Sequence, residues 1–440
     1  MLFTKLKNAR KKHNILSQCD VLGSFDFYST IVSLDSIEQQ SLENVASHQG
    51  HLKDVFEKKS KLDLNVFKQL KTYQPLAHHE YTHFVDCTST LWGIKYLDLM
   101  AKAYSSDDLR FGGKEPDFCS AKHFHDLLRF VKLPEYFTFQ SPVKNASRPW
   151  VFRESIGNRF SHKGEVSEYP IIFTQFGNNK GELIVRSPIS TLSILECAAM
   201  AQEVSCTIGL ILQLDDGVRD VEMQLYTNEL LDYLYDRKLT EYSVCAHLLS
   251  NSQTNVDVAL TFKACSIVCR YVLNTPASIY KQIAETANFS SIFGPGTEEW
   301  IAKITQGLNQ NEPGFLYYLI CNQLPKDSLE TTTKTIAGIK EALSNLNVAI
   351  ADLKAEAAVE FESYIASIGS SKIEHIKRIS KSGEKNFNLI DWDIPFLPFD
   401  KLDLPPALLG DSTSINLLSG DNNNLSSLDL EVLFDDMFEG

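Results

Sequence analysis

Five consecutive residues, His79-Glu80-Tyr81-Thr82-His83, have the types and spacing of a metal centre. On an α-helix, residues four apart stand one turn apart on the same face. His79 and His83 can therefore turn two imidazole nitrogens toward one ion, and neutral imidazole suits Zn2+ at about 2.0–2.1 Å. Glu80 sits about 100° round the helix from His79. That offset keeps its carboxylate out of the ligand set but near a water activated by the ion. There it can take the water's proton and later deliver it to a leaving amine. With 11 histidines in 440 residues, an H-E-x-x-H arises by chance in roughly one chain of this composition in fifty. The setting strengthens the reading, because the pentapeptide lies in a helical apolar pattern in a chain otherwise poor in histidine.

Neighbouring residues extend the site. Asp86 lies three residues after His83 and seven after His79, so it shares the metal face and could receive the second N–H of a ligating imidazole. His78 points elsewhere on a helix and is read as a non-ligand. Glu196 lies in an otherwise apolar segment, where an ionised carboxylate is costly unless paired or coordinated. Arg186 or Arg219 would be the ordinary partner. His123, His125, His162 and Tyr169 are candidate donors to a developing oxyanion, and the sequence does not choose among them.

The HEYTH segment resembles the active-site helix of the zincin metallopeptidases, sharply over residues 76–100. The resemblance implies an α+β zincin-like catalytic domain. In it a sheet with an edge strand or hairpin holds the peptide, the HExxH helix lies beneath, and a mostly helical lobe follows. It implies attack of zinc-activated water on a peptide carbonyl, with Glu80 as general base and then acid. The metzincin continuation HExxHxxGxxH is absent, since Asp86 stands where the Gly would be and Ser89 where the third His would be. The gluzincin-like subgroup draws its third ligand from a later helix. The best match is ILECAAMAQE, with Glu196 followed by Glu203 on one face and 113 residues after His83. The resemblance thus implies a metal set of His79, His83 and Glu196, with Glu203 and Asp86 behind it.

The elements that must position these residues are only partly legible. Pro75 should break or begin an element. From Leu76 to about Tyr104 the apolar residues Phe84, Leu91, Ile94, Leu97 and Met100 predict a helix, with Gly93 as an interruption or a close packing point. Residues 119–131 read as a second short helix. YPIIFTQF and ELIVR, on either side of GNNKG, predict a hairpin near 169–186. It is the candidate peptide-binding element, although it follows the motif. Ser187-Pro188 should open the helix bearing Glu196, near 188–214. Further helices are expected at 218–235, 241–251, 256–273 and 296–308, giving a zincin-like region over 1–325. Ile336, Ile339, Leu343, Leu346, Ile350 and Leu353 follow a heptad and predict one long helix within 326–390, packed on its own chain or self-associating. Residues 391–440 read as a Pro-containing linker and a disordered acidic tail, since Asp411–Gly440 has seven acidic residues and no Lys or Arg. A short amphipathic segment at its end could dock on a partner or on the cleft.

The net charge of −14 argues against a general nucleic-acid binder. The basic cluster Lys5–Lys12 reads as a solvated helix end. No apolar run of bilayer-spanning length is expected. Nine cysteines without a dense framework suggest reduced thiols and a cytoplasmic setting, and Cys265 and Cys269 read as core thiols. The expected partners are a protein or peptide substrate and a regulatory protein on the 326–390 helix or the tail, with neither nucleic acid nor membrane. The expected activity is that of a zinc metallopeptidase, with a regulated toxin-like or defence effector as one biological setting. The alternatives are a non-peptide amidohydrolase and a non-catalytic zincin-like binding protein.

Overall fold

A computed structural model describes residues 2–13, 22–105, 115–143, 147–161, 163–251, 253, 257–418 and 423–438. Among the sequence candidates, His162 and Cys19 lie outside these. The fold is mixed α+β and mostly helical. Among the described residues, eight strands form two sheets of four. The strands are β1 (Ser24–Phe25), β2 (Val32–Leu34), β3 (Phe139–Gln140), β4 (Val151–Phe160), β5 (Val166–Gly177), β6 (Leu183–Pro188), β7 (Ala407–Leu409) and β8 (Ser414–Ile415).

The chain forms two units that interleave in sequence. The first takes Met1–Leu128, Ala199–Thr227 and Phe361–Gly440, and the second takes Arg129–Ala198 and Asn228–Glu360. The contiguous segments 1–325, 326–390 and 391–440 therefore do not correspond to compact bodies. Shifts in composition along a chain carry no information about pairing between distant segments.

In the first unit the motif helix runs Leu64–Thr88, with Asp63 accepting the N–H groups of Asn65 and Val66 at 2.8 and 3.3 Å. Pro75 lies inside this helix rather than at its boundary. Proline removes one backbone bond, but Phe67 and Leu70 before it and Ala77, Tyr81 and Phe84 after it are buried, so packing holds the helix on both sides. The helical pattern over 76–104, with Gly93 as an interruption or a close packing point, is two helices. Thr90 Oγ1 donates to Asp86 O at 2.6 Å and accepts from Gly93 N at 3.0 Å, which ends the motif helix and caps the next, Leu91–Tyr104. Gly93 is the close packing point, because a Cβ there would meet Asp86 O at 2.2 Å.

The sheet of this unit has the order β1-β2-β7-β8, with β2 and β7 parallel and the other pairs antiparallel. It packs on the motif helix. β1 and β2 precede the motif and were not visible in the sequence, since strands of two and three residues show no alternation. The C-terminal segment is also more ordered than its composition suggests. Leu425, Leu428, Leu430, Leu433, Phe434 and Met437 are buried, and Leu430–Phe438 is a helix that packs on the N-terminal helix Leu2–His13. The apolar residues of the tail, few but regularly spaced, outweigh its acidic composition. Asp403, fully buried, anchors the segment. It accepts Leu425 N at 2.9 Å and Ser382 Oγ at 3.0 Å, and its backbone exchanges two hydrogen bonds with the side chain of Asn386.

In the second unit the antiparallel sheet has the order β3-β6-β5-β4. The expected hairpin is present and longer than 169–186, running through β5 and β6. Its turn is set by Asn178 Oδ1, which accepts the N–H groups of Lys180 and Glu182 at 3.0 Å, and by Gly181 at φ +78. Pro188 closes β6, paired with Phe173, instead of opening a helix. The following helix is Thr191–Ile211. Helices at Thr240–Asn251, Val258–Leu273 and Glu298–Asn309 match expectation. The heptad stretch is divided between Thr332–Asn345 and Ile350–Gly369. Asn347 between them adopts φ 61, a left-handed conformation that Asn tolerates and a continuous helix does not contain. Ile339, Leu343, Leu346 and Leu353 are buried in their own chain.

Candidate metal centre

The site is built on two helices. The motif helix supplies His79, Glu80 and His83; the helix Thr191–Ile211 supplies Glu196 and Glu203. The second helix is long and apolar enough, by length and composition, to cross a membrane, contrary to the expectation of no such run, and its apolar stretch is mostly buried within the protein. Leu192, Ile194, Leu195, Ala199 and Val204 are buried round it. Glu196, 6% exposed, is an acid set deep in that apolar surface.

Ligand atoms of His79, His83 and Glu196 all lie within 4.8 Å of one another. Two ligands of one ion bonded at 2.0–2.2 Å are separated by ~3.4 Å in a tetrahedral set and at most ~4.4 Å, so the group is within a side-chain adjustment of ligand contact and could hold a metal ion. The two imidazoles fit most closely. His79 Nε2 and His83 Nε2 are 3.2 Å apart, near the tetrahedral separation. Glu203 Oε2 lies 2.9 Å from His79 Nδ1. A carboxylate in that place selects the Nδ1–H tautomer and leaves the Nε2 lone pair facing inward. The His83 ring can donate to that lone pair, and a bound ion would instead be held by both Nε2 atoms.

Glu203 thus acts on His79, and among the described residues it is not in the metal-competent group. Asp86 is buried one turn beyond His83 and is also outside that group. His78 is turned away, as expected. Its Nδ1–H donates to Gln74 O at 2.7 Å and its ring meets Phe399 edge-on, while burial holds its pKa below the ordinary value. Arg219 pairs with Asp216 and Asp220, and Arg186 lies over the Phe173 ring, so those cations are engaged elsewhere. His123 and His125 are exposed on the helix Glu115–Val131, and Tyr169 is half-exposed on β5. Cys265 and Cys269 are buried core residues outside the metal-competent group.

Glu80 is 3% exposed. Its side-chain stem lies against Gly23, just before β1, where an added Cβ would come within 3.2 Å of Glu80 Cγ. The short strand therefore approaches the helix at the general-base candidate, a contact for which the sequence carries no signal beyond the glycine itself.

Glu241, in the first turn of Thr240–Asn251, was not singled out by sequence because an acid there reads as ordinary helix-end complementarity. Its Oε1 is buried without a hydrogen-bond partner. Desolvation pushes its pKa up to about 7; Lys132 opposes the shift, and Glu196 and Glu135 add to it.

The comparisons leave this geometry to stand by itself: no protein-family model, no curated protein and no solved structure matches the chain.

Proposed function

We propose that this protein is a zinc-dependent metallopeptidase acting on a protein or peptide substrate in a reducing, cytoplasmic setting. The observation that carries the reading is the gathering of His79, His83 and Glu196 within 4.8 Å, with the buried Glu80 on the same helix as both histidines. Two imidazoles and one carboxylate are a donor set of borderline-hard character that suits Zn2+ and leaves room for substrate. Zinc held there supplies a Lewis acid that makes water nucleophilic at neutral pH and polarises a carbonyl. Glu80 accepts the proton of the attacking water and returns it to the departing amine. Glu203 holds the His79 ring in the orientation the ion needs. A purely structural zinc site is normally closed by four protein ligands and has no use for Glu80, which favours catalysis over a binding role.

The test is metal analysis of purified protein, followed by hydrolysis of a peptide library by the zinc-loaded wild type and by Glu80→Gln. Cleavage by wild type alone, with equal zinc in both, supports the reading. Zinc-loaded wild type that cleaves no peptide but releases acyl groups from simple amides would move it to the non-peptide amidohydrolases.

A further inference from the structure

The second unit contains a cavity of about 380 Å³. Glu154 of β4 lines it, with Asn251 at the end of Thr240–Asn251, Tyr318 and Asn322 of the helix Pro313–Gln323, and Lys326 just beyond that helix. Glu154 and Lys326 share this cavity without pairing with each other or, among the described residues, with any other charge. The sheet gives Glu154 no donor either. Thr174 stands opposite it on β5, yet its Oγ1 is buried without a hydrogen-bond partner. Tyr318 is only 6% exposed, and its hydroxyl makes no hydrogen bond among the described residues. Phe293, stacked at 6.3 Å, and Trp300, edge-on at 6.1 Å, hold its ring, so the hydroxyl is presented to the cavity. Burial pushes the pKa of both Glu154 and Tyr318 above the ordinary value, as expected of polar groups that have left water without gaining partners. Lys326 is placed by Gln253, whose side chain donates to Pro325 O at 3.0 Å and accepts Leu329 N at 3.4 Å. A second cavity, of about 270 Å³, meets the first at Asn251, which lines both. Its walls include Phe152, two residues before Glu154 and so on the same face of β4, together with Trp150, Leu231, Leu234 and Val258.

We propose that these two cavities together bind a free α-amino acid with a bulky apolar side chain. Glu154 and the Tyr318 hydroxyl oxygen accept from its ammonium. Lys326 and the amides of Asn251 and Asn322 donate to its carboxylate, and its side chain enters the apolar cavity. A ligand of single charge would answer one of the two opposite charges and leave the other alone, whereas a zwitterion answers both with charge-assisted hydrogen bonds. A metal ion does not fit, since Glu154 belongs to no group of three metal-binding side chains among the described residues. The site shares no residue with the metal centre, and its occupancy does not depend on hydrolysis.

The experiment is a ligand-observed NMR titration of the full-length protein with four probes. They are L-phenylalanine, glycine, phenethylamine, which lacks the carboxylate, and 3-phenylpropionate, which lacks the ammonium. Wild type should bind L-phenylalanine more tightly than each of the other three. Glu154→Gln keeps the side chain's shape. It should weaken L-phenylalanine and phenethylamine by roughly tenfold to a hundredfold and leave 3-phenylpropionate unchanged. Lys326→Met should weaken L-phenylalanine and 3-phenylpropionate and leave phenethylamine unchanged. Opposite selectivities in the two variants are a pattern that misfolding cannot produce. Tyr318→Phe, which removes only the hydroxyl, should cost L-phenylalanine roughly twofold to tenfold. Wild type that binds none of the probes, or binds glycine as tightly as L-phenylalanine, overturns the proposal. So does an affinity for L-phenylalanine that is unchanged in either Glu154→Gln or Lys326→Met.

Discussion

Glu203 Oε2 lies 2.9 Å from His79 Nδ1, and Glu196, two turns earlier on the same helix, belongs to the group that includes that histidine. One helix therefore carries both a carboxylate that could hold an ion and a carboxylate bonded to one of the histidines of the same group. Glu203→Ala should weaken zinc affinity by roughly 10–100-fold through His79, and Glu196→Ala should weaken it more. Competition with a chelator of known affinity measures both. An equal or larger loss for Glu203→Ala would reverse their roles.

Metal content separates the histidines from their neighbour. His79→Ala and His83→Ala should each strip the ion, whereas His78→Ala, whose native ring bonds to Gln74 O, should retain it. Elemental analysis of the three folded variants decides. Zinc-free wild type, purified without chelator and reconstituted with excess zinc, would rule out the centre.

Glu80→Gln should leave zinc bound and lower kcat by ~10²–10⁴-fold, the usual worth of a positioned proton-transfer group. Single-turnover kinetics on a cleaved peptide is the measurement. Retained turnover would exclude Glu80 as the base.

The C-terminal helix gives a stability prediction. Leu433 is 1% exposed, and Leu433→Ala should cost ~2–5 kcal/mol in urea unfolding. Val432, 47% exposed on the same helix, should change stability by less than ~0.5 kcal/mol when replaced by Ala. Equal effects at the two positions would mean that the helix is not docked in solution.

His247 gives a pH prediction. It is buried, its Nε2 donates to Leu234 O at 2.7 Å, and desolvation lowers its pKa. The unfolded chain therefore binds more protons than the folded one as pH falls below about 6.5. Stability from this group is complete above that pH and is lost as pH falls through the window between the unfolded value and the lower folded value. His247→Asn should flatten the fall of unfolding free energy between pH 6.5 and 5 relative to wild type, read from urea titrations at each pH. An unchanged slope would place the acid sensitivity elsewhere.

How much of this was legible in the sequence varied with the range of the interaction. The one-turn spacing of His79 and His83 is local, and so is the cost of an acid at Glu196 in apolar surroundings; both were readable, and the structure brings these residues together. The β5–β6 hairpin was readable because Asn178 and Gly181 write its turn into five residues. The break at Thr90 was not, because apolar periodicity continues across it and only the Thr90 hydroxyl and the close approach at Gly93 impose it. The division of the heptad at Asn347 was hidden in the same way. β1 and β2 are too short to carry a pattern, and Glu241 acquires meaning only when the fold buries it. The tail was misread because averaged composition hides a periodic apolar set.

The anchoring of that tail through Asp403 has a consequence for its behaviour at different ionic strengths. An ion pair to the N-terminal helix, Lys5 with Asp435 at 2.9 Å, is partly exposed and contributes little. The bonds from Leu425 N and Ser382 Oγ to Asp403, by contrast, are buried, beyond the reach of screening ions. Molar salt should therefore leave the C-terminus in place, and an acidic terminus that looks built for electrostatic release is instead fastened by a contact that mobile ions do not weaken.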